Sequence, residues 1–355
     1  MIRFFKVFLG SILTLIAAFI VFLLWSTFND YQPAPFEKMT VQYTDDLKQD
    51  TLTAVIWNIG YAGLGDDMDF FYDGGKSMRS TPERSKMNLT NIIATLQKKP
   101  LPDLILLQEV DVNSKRSFNV NQQKVIKKAF DSYQWFFAYN YLVEFVPVPL
   151  GNPLGKVESG IMTGSKYKPA IVKRYSFEGN YSWPKSLFML DRCFLSTAFP
   201  LPGGDTLFIV NTHNTAYDDG NIRQKQMQQL KEWIEGKKPE HNEFIIGGDW
   251  NQTPPDVAIN EFGLYPTSSN YAPKSIPKDF LPENWQFVYD KNTPTNRGLD
   301  TIYHNQSYRT IIDFFIVSPG IEPIEVKTQK LNFTHSDHQP VYLKFRMVRQ
   351  NEVAK

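Results

Sequence analysis

The chain has a single cysteine, Cys193, in 355 residues, which excludes an intramolecular disulfide and leaves cysteine usage silent about compartment. Charge of either sign is not in excess. The 38 basic and 37 acidic residues give +1, and residues 31–355 carry 36 of each. A neutral body argues against a protein that lives by coating duplex nucleic acid, whose affinity comes mostly from cations facing phosphates. No stable duplex partner is expected, although a local basic cleft is compatible with this balance. Internal repeats and low-complexity tracts are absent. Histidine is scarce too, with five in all.

What is present points to a folded body. Hydrophobic residues make up 42% and aromatics 14%, enough for one large domain or two small ones with a substantial core. One long apolar run stands apart from it. Residues 7–25 (VFLGSILTLIAAFIVFLLW) hold no charge and follow Arg3 and Lys6. Nineteen such residues suffice to cross a bilayer as a helix, and the basic flank keeps the N-terminus cytoplasmic with the rest outside, periplasmic or extracellular. A cleaved signal peptide is the competing reading. The run is long for one, and STFNDYQPAP offers no small-x-small cleavage site. The expected division is an anchor over 1–28, a Pro-containing linker over 29–38 and a body over 39–350.

Through the body, short β-branched or aromatic runs end repeatedly in polar clusters. TLTAVIWNIG, DLILLQEVD, QWFFAYNYLVEF, SGIMTGSKY, RCFLSTAFP, TLFIVNTHN, FIIGGDWNQ, RTIIDFFIVS and HQPVYLKFRM read as strands. Helices are expected between Pro82 and Pro100, with Met87, Ile92, Ile93 and Leu96 at helical spacing, near 119–130, and over NIRQKQMQQLKEWIEG. Strands outnumber helices, which suggests two central sheets with helices outside. The strand ends carry the chemistry. Asn58 follows VIW, Glu109 follows LILLQ, His213 follows IVNT, Asp249 and Asn251 follow IIGG, Asp313 follows TII, and SDH precedes the strand VYLKF. Polar residues clustered along one sheet edge build a rigid cleft. THSDHQP alone remains open between a polar turn and a site whose histidine moves a proton near neutrality.

The ordered segments WNIG, LLQEVD, NTHN, GGDWN, IDFFIVS and SDHQPV resemble the successive signatures of the endonuclease/exonuclease/phosphatase superfamily, which includes deoxyribonuclease, AP endonuclease, neutral sphingomyelinase and inositol-polyphosphate 5-phosphatase relatives. The resemblance spans residues 51–346. It implies an α/β four-layer sandwich, two mostly antiparallel β-sheets face to face with helices on both outer sides, and a metal-dependent phosphoric ester hydrolase. It further implies that Glu109, Asn58 and Asp337 hold Mg²⁺, with Mn²⁺ as a substitute; carboxylate and amide oxygens suit such a hard ion. By the same resemblance His338 acts on the attacking water and Asp313 orients it. Asp249 and Asn251 position the water and a phosphate oxygen, and His213 contacts the phosphate. His335, His304 and His241 receive no role and are expected at the surface.

Three departures matter. Gly60 stands where some nucleases of the family carry an acidic residue, and Asn214 where many relatives have an apolar one. GYAGLG lacks the following amphipathic helix of a nucleotide-binding loop and reads as a flexible rim. The acidic run Asp66, Asp67, Asp69 and Asp73 lacks calcium-loop spacing and is expected to be solvated. Arg192 and Arg297 could clamp a phosphate or form surface ion pairs. Aromatic stretches at QWFFAYNYLVEFVPVP and NYSWPKSLFML would receive a lipid chain, stack on a base or fill the core. The substrate class stays open among lipid, nucleic acid and small phosphoester, and a catalytically silent scaffold on the same fold is the alternative.

Overall fold

The computed structural model describes residues 1–42, 45–218, 221–265 and 274–348; the expected end of the body at 350 lies outside them. Two sheets form its centre. One has six strands, in the order Ile321–Thr328, Val341–Met347, Thr51–Asn58, Leu104–Asp111, Gly155–Ser165 and Gln134–Val146. The other has seven, in the order Phe36–Met39, Ile171–Ser176, Cys193–Pro200, Thr206–His213, Asn242–Asp249, Asp313–Val317 and Gln286–Val288. Among the described residues four α-helices accompany them: α1 (Ile2–Phe28), α2 (Pro82–Leu96), α3 (Gln122–Ala129) and α4 (Ile222–Glu235).

Each sheet contains one parallel pair, Thr51–Asn58 beside Leu104–Asp111 and Thr206–His213 beside Asn242–Asp249. Parallel neighbours need a crossover, and α2 and α4 supply the two. Both strands of a parallel pair therefore end at the same edge, where open α/β sheets bind ligands. Asn58 and Glu109 come to one such edge, His213 and Asp249 to the other.

Strand alternation divides the core into layers. Ala54, Ile56, Leu104 and Leu106 face inward against Ile209, Ile245 and Phe315 of the second sheet. Their neighbours Val55, Trp57, Ile105 and Leu107 face outward, onto Leu89, Ile92 and Leu96 of α2 and Ile126 of α3. On the opposite flank Val210, Ile246 and Phe314 meet Met227, Leu230 and Ile234 of α4. The result is the expected four-layer sandwich.

Helix α2 begins at Thr81, whose hydroxyl oxygen accepts the Arg84 N–H at 3.2 Å, with Pro82 at the first helical position. One expected core position is corrected there. Met87 is 42% exposed, because five residues before Ile92 lies roughly 140° around a helix of 3.6 residues per turn.

Helix α1 is long and apolar enough to cross a membrane, and of its residues only Ser26 is buried. Its last turns touch the body: Phe22 stacks on Phe188 and meets Phe145 edge-on, and Trp183 Nε1 donates to Thr27 Oγ1 at 3.2 Å. Residues 36–38 of the expected linker, with Met39 of the body, add an edge strand beside Ile171–Ser176.

Candidate active site

At the shared edge of the two sheets lies a cavity of about 350 Å³. Glu109, His213, Asp249, Asn251, Asp337 and His338 line it. Asn58 and Asp313 stand behind them, so all eight expected residues converge.

Local backbone geometry aims the acids. The strand Leu104–Asp111 loses register against its partner between Leu107 and Val110, and Glu109 adopts φ 55°. Such a bulge redirects one side chain out of the ladder, and a left-handed glutamate persists only where its surroundings hold it. Asn251 has φ 50° just after Asp249. It is fixed three ways: its N–H donates to Asp249 Oδ1 at 2.9 Å, its Nδ2 to the Asn214 carbonyl at 2.8 Å, and its carbonyl accepts Arg223 Nη1 at 3.0 Å.

Asp313 faces Asp249 directly across the ladder, and its Oδ2 lies 2.8 Å from His338 Nδ1. Asn296 Nδ2 lies 3.0 Å from the other ring nitrogen, Nε2. Asp249 Oδ2 and Asp337 Oδ2 are each 3.8 Å from that Nε2. Burial opposes charge on this ring, but Asp313, Asp249 and Asp337 outweigh it and hold the imidazolium well above the ordinary 6.5. His213 is the reverse case. Burial, then Arg192, His338 and Arg116, push it well below 6.5, so it is neutral. Asn140 Nδ2 approaches its Nδ1 at 3.5 Å, an arrangement that suits a ring hydrogen on Nε2, 3.5 Å from Asp249 Oδ2.

The acids on the other side lack such partners. Asn58 donates Nδ2 to Glu109 Oε1 at 3.2 Å and to Asp249 Oδ2 at 3.0 Å, while its Oδ1 accepts the Gly60 N–H at 3.0 Å. Among the described residues no Lys or Arg pairs with Glu109 or Asp337. Burial raises the Asp337 carboxyl to about 7; His338 works against this and Glu109 with it. Burial likewise lifts Asp249 to about 6, against the pull of His338. A buried acid group short of positive charge fits a hard divalent cation. The ligand atoms of Asp249, Asp313 and His338 also lie within 4.8 Å of one another, but the Asp313–His338 hydrogen bond already occupies that pair. Glu109 and Asp337, outside that bond, could also hold an ion.

The family model for the endonuclease/exonuclease/phosphatase family matches residues 55–338. The chain belongs to this family. Its fold is similar to an endonuclease/exonuclease/phosphatase from Beutenbergia cavernae DSM 12333, at 17% identity and TM-score 0.56 over 84% of this chain and 72% of that one. It is also similar to Danio rerio TDP2 complexed with a single-strand DNA product, at 15% identity and TM-score 0.52 over 84% and 100%. A third likeness is to ANGEL2, a 2',3'-cyclic phosphatase, at 14% and 0.53 over 90% and 100%. No curated protein sequence matches.

Against the family pattern, the departures acquire physical reasons. Gly60 has φ 50°, and a Cβ there would stand 2.7 Å from Asp337 Oδ1, so an acidic side chain has no room. Asn214 accepts the Thr212 hydroxyl at 2.6 Å and serves Asn251 through its carbonyl, a supporting part rather than a phosphate contact. GYAGLG is a buried turn, not a flexible rim: Tyr61 is 1% exposed beneath the Arg116 guanidinium, 3.8 Å from the ring centre. Asp73 lines the cavity and accepts the Tyr217 hydroxyl at 2.5 Å, whereas Asp66 and Asp67 pair with Arg84 and Asp69 accepts backbone N–H groups. Only part of that acidic run is solvated. His335 is half-buried, its ring pushed below 6.5 by burial and by Arg84.

Arg297 is not a surface pair, and it lines the cavity. It is 1% exposed, and its guanidinium donates to the carbonyls of Gly65, Met68 and Gly298 at 2.7, 2.9 and 2.9 Å, tying the rim to the floor. Arg192 lines the cavity, and its Nη1 has no hydrogen-bond partner among the described residues. Asn296, in PTNRGLD, escaped the reading of the sequence although it touches His338; nothing separates it from an ordinary turn asparagine until the fold is known.

Proposed function

We propose that the chain is a membrane-anchored phosphoesterase whose body, residues 39–350, hydrolyses a phosphodiester or phosphomonoester outside the cytoplasm with Mg²⁺ or Mn²⁺. The observation that carries this reading is the 2.8 Å Asp313–His338 pair facing Glu109 and Asp337 in one cavity. Glu109, Asp337 and Asn58, through the second lone pair of its Oδ1, would hold the ion. When bound, the ion supplies electrophilic stabilisation of phosphate oxygens.

The chain's own residues do the rest. In its neutral form His338 takes the proton of the attacking water at Nε2. Asp313 fixes the Nδ1–H tautomer and, with Asp249 and Asp337, stabilises the ring once charged. Asn296 suits both states: its N–H bonds the neutral Nε2, and the amide turned over offers its oxygen to the charged one. Asp249 orients the water, and Asn251 faces a nonbridging oxygen. Neutral His213 donates from Nε2, and Arg192 supplies the fixed positive charge that a five-coordinate phosphorus requires.

Full-length protein in detergent, assayed with and without chelator on an aryl phosphodiester, DNA, phospholipids and inositol phosphates, is expected to turn over at least one class only when Mg²⁺ or Mn²⁺ is supplied. Silence on all of them with every metal would favour the scaffold. For the anchor, the chain is expected to resist carbonate extraction, with its body open to protease from the outer side. A mature protein beginning between residues 26 and 35 would replace the anchor by a signal sequence.

A further inference from the structure

The cavity is polar at one end only. Opposite the catalytic groups its wall is built from Tyr72, Val146, Val148, Leu154, Phe188 and Leu190. This wall continues onto an exposed apolar rim, with Val148 45%, Leu150 89% and Trp183 60% exposed. The wall residues other than Val148 pack as one apolar cluster, and apolar side chains exposed together beside it mark a contact surface.

The occupant follows from where α1 ends. Phe22 belongs to the charge-free run and lies six residues before the end of the helix, about 9 Å deep at 1.5 Å per residue. It stacks on Phe188, a residue of the cavity wall, with ring centres 5.8 Å apart, and meets Phe145 edge-on at 6.2 Å. A second contact brings Trp183 to Thr27. If α1 spans the bilayer, the wall of the cleft therefore stands at the level of its hydrocarbon edge. Lys185 and Arg192 also line the cavity. This set of apolar, cationic and acidic groups matches an acyl chain, a phosphate and a metal-bound reaction centre.

The geometry points to a lipid phosphoester that enters from the leaflet holding α1, its acyl chain passing between Phe188 and Val148 while its phosphate meets Arg192. This deepens the phosphoesterase reading and rests on it for the anchor and the reaction, but the occupancy can be tested without turnover. Full-length protein is reconstituted into phosphatidylcholine vesicles containing a phosphatidylcholine with a photoactivatable diazirine in its acyl chain, and the labelled peptides are mapped. Label is expected on residues 141–154 and 183–190 in addition to α1. The Leu150→Glu, Trp183→Glu double variant should lose about tenfold of the label in the cleft and keep that on α1. In parallel, turnover of a soluble aryl phosphodiester is followed. Label confined to α1, with the soluble ester hydrolysed, overturns lipid entry and leaves the phosphoesterase standing. Label in the cleft that survives both rim changes overturns the proposed route. Cleft label lost in the double variant, without hydrolysis of any ester, upholds entry and removes the enzymatic reading.

Discussion

The two sheet edges that meet at the cavity are built alike and charged differently. Each delivers two of its groups from a parallel strand pair joined by a helix, Asn58 and Glu109 on one edge and His213 and Asp249 on the other. On the seven-stranded side every catalytic candidate has a partner: Asp313 the His338 ring, Asp249 the Asn251 N–H and Asn58 amide, His213 the Asn140 amide. On the six-stranded side Glu109 and the neighbouring Asp337 form no close ion pair with Lys or Arg among the described residues, and Asp337 is lifted to about 7 by burial. The difference separates two tasks. Proton transfer needs a geometry already complete before substrate arrives, whereas ion binding needs negative charge left uncompensated.

The strongest way to break this division is at the complete side. His338→Ala and Asp313→Ala should each lower turnover by about two to four orders of magnitude, with the double variant losing far less than the product because the pair acts as one unit. Metal affinity, read by Mn²⁺ titration, should barely move. His335→Ala should be nearly silent. A folded His338→Ala protein with near-normal turnover would return THSDHQP to a turn.

Glu109→Gln sharpens the other side. It keeps the size of the side chain and removes its charge, so the Mn²⁺ dissociation constant should rise by at least about tenfold, the loss typical even of outer-sphere partners. Calorimetry on the unligated protein reads this directly. Unchanged affinity would move the ion to Asp249.

The smallest effect separates the site from its frame. Asp191, just before the strand Cys193–Pro200, is raised to about 7, first by burial and then by Asp30, against the pull of Arg174. Its folded value lies above the unfolded 3.8, so its contribution to stability is intact below about pH 4 and is lost as pH rises towards 7. Asp191→Asn should therefore stabilise the protein at pH 8 by on the order of 1–2 kcal/mol, discounted for partial exposure, and leave it unchanged near pH 4. Thermal unfolding at the two pH values checks this, and activity should follow the wild type.

Much of the fold was legible because strand runs here are short, β-branched and terminated by polar residues, and α2 carries its own cap and proline. The site was legible for the same reason: chemistry sits at strand ends, where a carboxylate after four apolar residues, as at Glu109, has few structural excuses. Other features left no such mark. Met87 fits a helical spacing loosely and points outward. Arg297 allows the reading of a surface ion pair and is a brace for three carbonyls. Asp73 reads as one of a solvated run yet lines the cavity. These outcomes depend on what lies across space, not on neighbours in the chain.

By itself the sequence determined nine of the thirteen strands of the two large sheets and their order, the apolar N-terminal run and the eight groups at strand ends, since periodicity and local burial are written residue by residue. Only the tertiary structure decided how those groups divide. Residues separated by 281 positions, such as Trp57 and His338 in hydrogen-bond contact, become neighbours through sheet packing alone. The opposed states of His338 and His213 arise likewise from burial and from carboxylates or cations brought by other strands. A side chain's charge state is set by the groups that surround it in space, and only folding chooses those groups.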